Sequence, residues 1–274
     1  MSVEMEIVCV GNELLIGKTL NTNAKWIAKR ATSLGATIKR ITVVGDDVEE
    51  IARAICEALD RKPRFILTTG GLGPTFDDKT LEGIAKALNR NLELNSEALK
   101  MVKEKFEAYA REGKIESAEL TAYRVKMAKL PEGSKPLPNR VGTAPGVQIE
   151  VGSTHIIALP GVPSEMEAIF DESVAVLLRK ESGNLTFFEA SIYSEDLAES
   201  TVAPLIDLTM HDNPYVYIKS HPRGEEVRCL LEIHLSTTAV DSKTAKDRLG
   251  KAIIQLSELI KKQGGKVKIL NSMC

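Results

Sequence analysis

Residues suited to soft-metal or redox chemistry are sparse. Cys9, Cys56, Cys229 and Cys274 are scattered through 274 residues without CxxC spacing, and His155, His211, His221 and His234 stand isolated from them. A structural zinc site gathers four such ligands in short clusters, so zinc is excluded and any metal is expected to be oxygen-ligated. Cys9 and Cys56 fall in apolar patterns, where a thiol behaves as a small hydrophobe. Long apolar runs are missing as well: nothing approaches the ~18 to 20 residues that cross a bilayer. Met1-Ser2-Val3-Glu4 lacks the basic and apolar regions of a signal peptide. The expectation is a cytoplasmic protein with reduced thiols and no membrane partner. No charge of one sign predominates either, since 36 Lys and Arg against 38 Asp and Glu leave a net −2. That gives no electrostatic footprint for nucleic acid.

What is present is an ordinary globular composition, 43% hydrophobic and 27% charged, on a chain long enough for one large or two unequal domains. Strand patterns at Glu4 to Val10, Ala36 to Val44 and Arg64 to Thr68 alternate with amphipathic helical patterns at Thr22 to Leu34, Val48 to Leu59 and Thr80 to Leu88. Repeated βα units predict a largely parallel sheet covered on both faces, a three-layer α/β sandwich with ligands at the strand carboxyl ends. Helical patterns at Glu97 to Glu112 and Ser117 to Met127 form an excursion. Strands at Val147 to Val151 and His155 to Leu159 follow, then a helix from Glu165 to Arg179. The polar run Glu181-Ser182-Gly183-Asn184 marks a boundary, giving domains at 1–182 and 183–274. The second reads βαββαβ, a smaller ferredoxin-like α+β domain with a central hairpin turn at Pro222-Arg223-Gly224-Glu225.

The most informative stretch is Thr68-Thr69-Gly70-Gly71-Leu72-Gly73-Pro74-Thr75-Phe76-Asp77-Asp78-Lys79-Thr80. Glycines between a strand and a helix permit positive φ, let a ligand touch the backbone, and aim free N–H groups at an anion. Adjacent carboxylates beside a phosphate make sense if a divalent cation neutralises both, although either acid could instead cap the helix. A second loop, Gly11 to Thr19, ends in the Gly-Lys-Thr of a P-loop but encloses five residues between its glycines where four are needed, so an NTPase is disfavoured.

Turns at 11 to 17, 70 to 78 and 160 to 165 follow strands of one sheet and should converge. With the Asn139 to Gly146 loop they outline a pocket of backbone donors and acids. The expected binding residues are Asn12, Glu13, Asn21, Asn23, Gly70, Gly71, Gly73, Pro74, Thr75, Thr80, Asn139, Gly142, Gly146, Pro160, Gly161, Pro163 and Glu165. Asp78, Asp77 and Asp46 are the expected catalytic acids, and Asp78, Asp46 and Glu13 the expected ligands of Mg, Mn or Co. The inferred chemistry is metal-assisted hydrolysis of a pyrophosphate.

Gly11-Asn12-Glu13-Leu14-Leu15, Asn21-Thr22-Asn23-Ala24, the 68–80 stretch, Asn139 to Gly146 and Leu159-Pro160-Gly161-Val162-Pro163-Ser164-Glu165-Met166 together resemble the amino-terminal part of the CinA family. That region is similar to the molybdopterin-binding fold of molybdenum-cofactor enzymes, whose GGTG-type turn and following Asp match Gly70 to Gly73 and Asp78, with Leu72 in place of Thr. The resemblance implies ADP-ribose pyrophosphatase activity, with a dinucleotide such as FAD as a related substrate. It does not extend to the nicotinamide-mononucleotide deamidase domain of many CinA proteins, so deamidation is not expected. Two other readings stand beside hydrolysis: a molybdopterin-binding or cofactor-assembly protein without turnover, and a noncatalytic nucleotide sensor. The expected partners are a small-molecule nucleotide and further copies of the chain, a homodimer being the commonest assembly.

Overall fold

In a computed structural model, residues 3–183, 185–223 and 230–269 are described. The chain divides into two compact units, the first of residues 1–32 and 36–182, the second of residues 33–35 and 183–274. In chain order the first holds β1 (Val3–Val10), α1 (Asn12–Leu15), α2 (Thr22–Ser33), β2 (Ala36–Val44), α3 (Val48–Asp60), β3 (Phe65–Thr69), α4 (Thr80–Ala87) and β4 (Leu92–Leu94). It continues with α5 (Ser96–Arg111), α6 (Ala122–Lys126), β5 (Lys129–Pro131), β6 (Lys135–Leu137), β7 (Gly146–Val151), β8 (Thr154–Leu159) and α7 (Pro163–Ile169). A π-helical stretch at Phe170–Val174 leads into α8 (Ala175–Ser182).

The six-stranded sheet runs β2-β1-β3-β8-β7-β6. Its first four strands are parallel, and β7 and β6 join antiparallel. β3 is buried along its whole length, the mark of a strand covered on both faces. On one face Val8, Val10, Ile66 and Ile156 pack with Ile51 and Ile55 of α3, Ile84 of α4 and Val102 of α5. Strand alternation sends Ile7, Cys9, Phe65 and Leu67, all buried, to the opposite face. Trp26 of α2 meets Phe170 edge to face at 5.4 Å. Helix, sheet, helix is therefore the layering, the fold expected from the βα repeats. Burial of these apolar side chains, each worth ~1.5 to 3 kcal/mol relative to exposure, holds the strands rigid beneath the turns they carry.

Several elements differ from the sequence expectation for local reasons. Only Ala122–Lys126 of the 117–127 pattern is helical, with Thr121 accepting the Arg124 N–H at its start. The helix expected from Glu165 to Arg179 starts at Pro163, whose fixed φ and missing N–H suit a first turn, and is interrupted by the π-helical stretch. Two short ladders, β4 with β5 and β6 with β7, use segments too short and proline-marked to show a strand period.

The second unit holds β9 (Thr186–Glu195), α9 (Glu199–Asp212), β10 (Tyr217–Arg223), β11 (Leu230–Ala239), α10 (Ser242–Lys262) and β12 (Lys266–Ile269). Its antiparallel sheet runs β10-β11-β9-β12, packed on Val202, Ile206, Leu256 and Ile260. This is the βαββαβ order expected. Of the expected hairpin turn, Pro222 and Arg223 belong to β10, whereas Gly224 and Glu225 lie outside the described residues.

Candidate functional site

β1, β2, β3 and β8 end at Val10, Val44, Thr69 and Leu159, and the turns beyond three of them and Asp46 beyond the fourth enclose a pocket of about 290 Å³. Of the residues expected there, Glu13, Asn21, Asn23, Asp46, Gly70, Gly71, Asp77, Asp78, Gly161 and Pro163 line it.

The glycine turn is fixed by its own backbone. Gly70 adopts φ +104°, and a Cβ there would stand 2.2 Å from the Val10 carbonyl oxygen; Gly71 adopts φ +66°, with Thr80 Oγ1 2.3 Å from a would-be Cβ. Thr80, fully buried, donates its hydroxyl to Gly70 O at 2.7 Å and its N–H to Gly71 O at 3.2 Å. Two expectations change accordingly. The Gly70 N–H does not face a ligand, because it donates to Leu159 O at 3.1 Å, and Thr80 clamps the turn to α4 rather than contacting the pocket. The N–H groups of Gly71, Leu72 and Gly73 have no acceptor among the described residues. Three donors therefore remain open on one turn.

The acids are engaged in holding loops. Asp78 folds back over Gly73, its Oδ2 2.6 Å from where a Cβ would sit, and accepts from Thr75 N at 2.7 Å and Thr75 Oγ1 at 2.5 Å. The same hydroxyl reaches Asp77. One hydroxyl proton serves one carboxylate at a time, and the Thr75 contact holds the exposed Asp77 carboxyl below its ordinary value. Lys126 Nζ donates to the carbonyls of Thr75 and Asp78, the latter at 2.8 Å, and ties α6 to this turn. Asp46 Oδ2 accepts the Asn12 N–H at 2.8 Å while Asn12 Oδ1 accepts from Asp46 N at 3.4 Å. Its neighbour Asp47 caps α3 through Glu49 N and Glu50 N.

The two asparagines divide into a cap and an open acceptor. Asn21 Oδ1 accepts from Ala24 N at 3.0 Å and starts α2. Its side chain also bonds the Cys9 thiol, which burial pushes up. Asn23 Nδ2 donates to Thr69 Oγ1 at 2.9 Å and Gly161 O at 2.8 Å, and Thr69 Oγ1 in turn donates to Pro160 O at 3.1 Å. Two acceptors around the amide nitrogen fix the side-chain orientation. Asn23 Oδ1 is left buried with no partner among the described residues. A buried amide oxygen without a donor is costly, by ~1 to 3 kcal/mol, unless something arrives to fill it.

Asn139, Gly142, Gly146 and Glu165 were expected in the same pocket but do not line it. Asn139 Nδ2 donates to Glu165 Oε2 at 2.6 Å and to Ala144 O at 2.8 Å, and Asn139 Oδ1 accepts from Val141 N and Gly142 N. This group closes on itself, with the Glu165 carboxylate filling the space beside Gly142, and Gly146 opens β7. Pro74 and Thr75 lie in the turn outside the pocket, with Thr75 acting on Asp77 and Asp78.

Sequence reading missed Thr19, Leu20 and Thr69, which line the pocket, and Lys126. Leu15, Ile16 and Leu20 in the first loop and Phe76 in the glycine turn stand exposed, Leu20 by 84% and Phe76 by 85%. Bulky apolar residues inside a loop are the signal that was available for them. Among the described residues no group of three His, Cys, Asp or Glu side chains is placed to hold a metal ion. A separate hollow of about 460 Å³ at Arg90, Glu132 and Lys135 gathers none of the expected residues.

Comparison with known proteins adds the following. Residues 6–180 match the family described as "Probable molybdopterin binding domain". A protein of Sulfurisphaera tokodaii is 44% identical over 263 residues, covering 96% of this chain and 97% of that protein. One of Pyrobaculum calidifontis is 46% identical over 256 residues, covering 93% and 95%. Among solved structures, a CinA protein of unknown function from Thermoplasma acidophilum is 41% identical with a TM-score of 0.58, covering 64% of this chain and 98% of that one.

Proposed function

The chain belongs to the molybdopterin-binding domain family and, with its 41% identical structural relative, to the CinA proteins, and from that footing we propose that its first unit binds a phosphorylated pterin of the molybdopterin class without splitting a diphosphate. The observation that carries this reading is the open N–H of Gly71 and the partnerless Asn23 Oδ1 at one pocket, with the open N–H groups of Leu72 and Gly73 following Gly71 in the same turn. Open amides suit the phosphate, and a buried acceptor suits a ring amino or N–H group. Anaerobic titration with molybdopterin tests it by calorimetry. Stoichiometric binding that Asn23→Leu weakens about tenfold, the ~1.4 kcal/mol of one buried hydrogen bond, is the expected result. Absence of heat at ligand concentrations of about 1 mM, the weak limit of specific binding, overturns it.

Hydrolysis of ADP-ribose or FAD is a second reading, favoured by Glu13, Asp46, Asp77 and Asp78 lining one pocket. Against a resident Mg, Mn or Co ion, no three-residue ligand group is assembled among the described residues, and Asp46 and Asp78 each spend one oxygen on a backbone N–H. This is why binding stands first. Release of AMP from ADP-ribose with any of the three ions, abolished by Asp78→Ala, would reverse the order. The proposed setting is the cytoplasm, with a homodimer acting on a small molecule and not on nucleic acid. Supporting it are the net charge of −2 and the lack, among the described residues, of a helix long and apolar enough to cross a membrane. Sedimentation of the purified chain checks the assembly.

A further inference from the structure

Between the β4–β5 ladder and the β6–β7 ladder the chain makes one tight turn. Leu92 pairs with Pro131, and the Glu132 N–H donates to Asn91 O at 2.9 Å, which brings Arg90 and Glu132 side by side. Gly133 then adopts φ +73°, Ser134 N donates back to Pro131 O at 3.1 Å, and Lys135 opens β6 opposite Gln148 of β7. Arg90, Glu132, Gly133, Lys135, Gln148 and Glu150 line a hollow of about 460 Å³, within the ~300 to 1,000 Å³ usual for ligand pockets. It shares no residue with the pocket at the glycine turn. Glu150 pairs with His155 near the start of β8, whereas the first pocket lies beyond the end of that strand at Leu159.

Two cations and two anions therefore face one space, and among the described residues no ion pair joins any two of them. Arg90 Nη1 donates to Glu132 O at 2.9 Å, and Gly133 leaves room for it, since a Cβ there would stand 3.4 Å from that nitrogen. The guanidinium is thereby held with its Nε and Nη2 unspent, a planar fork that a carboxylate matches. The Lys135 ammonium and the Glu132 carboxylate have no partner among the described residues, and Glu150 Oε1 accepts from Gln148 Nε2 at only 3.4 Å. A second sign lies behind Glu150. His155 is 8% exposed, neither of its ring nitrogens has a hydrogen-bond partner, and Nδ1 stands 3.6 Å from Glu150 Oε1, too far for a hydrogen bond. A buried polar ring left unmatched is costly, and Glu150 joins it to the hollow.

The balance of charge decides what fits. An anion would meet two carboxylates and a cation two cations, whereas a molecule with one charge of each sign is matched at both ends. No apolar side chain lines the hollow, so a hydrophobic tail would gain nothing there. We propose that this hollow binds a small zwitterion of the amino-acid class, its carboxylate on the Arg90 fork beside Lys135 and its ammonium on Glu150 and Glu132. The site is independent of the pterin reading.

The test is calorimetric titration of the full chain with two zwitterions, L-glutamine with both charges on one carbon and glycylglycine with them at opposite ends, and with glutarate and putrescine as single-sign controls. Expected is binding of at least one zwitterion at a Kd of about 1 mM or tighter, with both controls about tenfold weaker. Glu150→Gln, at an exposed carboxylate that holds no part of the fold together, weakens the zwitterion about tenfold. Arg90→Lys keeps the charge, removes the fork and does the same. Ring-proton resonances of His155 give a second readout. Burial and the Arg64 charge hold its pKa down while Glu150 and Glu181 pull it up, so an ammonium on Glu150 moves its titration further down. In Glu150→Gln that titration is already lower and the ligand leaves it in place. No heat from either zwitterion at about 10 mM, well above the weak limit of specific binding, overturns the site, as does glutarate or putrescine binding equally well, or binding that neither Glu150→Gln nor His155 registers. Asn23→Leu leaves zwitterion binding unchanged, so loss of pterin binding and loss of this site are read separately.

Discussion

At the carboxyl ends of β1, β3 and β8 the chain turns on glycines, leaves three N–H groups open and carries exposed leucine and phenylalanine. Towards the other end of the same sheet the arginines and the acids they face are matched, the buried ring of His155 excepted. Arg61 forks onto Glu6 of β1 with two contacts of 2.7 Å. Arg64, just before β3, forks onto Glu181 at 2.9 and 2.8 Å and also donates to Ser153 O. Thr154 at the start of β8 donates to Pro63 O at 2.7 Å. One end is shaped by backbone conformation with donors left over, the other by bidentate ion pairs with almost none. The difference teaches where to look for chemistry: a polar group already satisfied by the protein explains stability, and one left waiting explains binding.

The largest effect that would test this contrast is expected from Gly70→Ala. Its Cβ would meet the Val10 carbonyl oxygen at 2.2 Å in a backbone region that L side chains avoid, so both a clash and strain apply, together ~3 kcal/mol. Urea unfolding of the first unit should show that loss at every salt concentration, since no charge is involved. An undiminished midpoint would mean the turn is soft, and the open amides would then be accidental. Next comes Arg61→Ala. Glu6 is only 4% exposed at its side chain while Arg61 is 32% exposed. The usual ~3 to 5 kcal/mol for orphaning a buried charge is therefore discounted to ~2 kcal/mol. Ligand binding at the opposite end of the sheet should be unchanged.

The contrast also explains what was legible in the sequence. The parallel sheet, the βαββαβ unit and the converging turns follow from hydrophobic period and glycine placement, which are local signals. Asn23 and Asp46 were legible as polar residues at strand ends. Thr80 was misread because its hydroxyl reaches back ten residues to Gly70 O, a partner visible only once the turn is folded. Asn139, Gly142 and Glu165 were misread for the same reason: their bonds to each other span up to 26 residues and close the group against ligands. Lys126 gave no sign at all, since a charged helical stretch reads as a solvated face until its neighbours are known.

The smallest expected effect separates the two ends by pH. His155 is buried, stacks on Phe65 at 5.0 Å, and has neither ring nitrogen hydrogen-bonded, with Glu150 at 3.6 Å and Glu181 at 4.0 Å. Burial first and the Arg64 charge second press its pKa below the ordinary 6.5, against the pull of the two glutamates. The unfolded chain then binds a proton at a higher pH than the folded one. His155 thus contributes stability fully above pH 6.5 and loses it as pH falls towards the lower folded value. As pH falls below 7 the wild-type unfolding free energy should fall on account of this group, and His155→Leu should remove that slope while keeping an apolar neighbour for Phe65. Glu181 works in the same direction further down: the Arg64 hydrogen bonds hold its carboxyl below the ordinary 4.5, so its stability is present above that value and is lost in stronger acid. Because the leucine variant alters only the upper window, a slope between pH 7 and 5 that survives it would place the titrating group elsewhere.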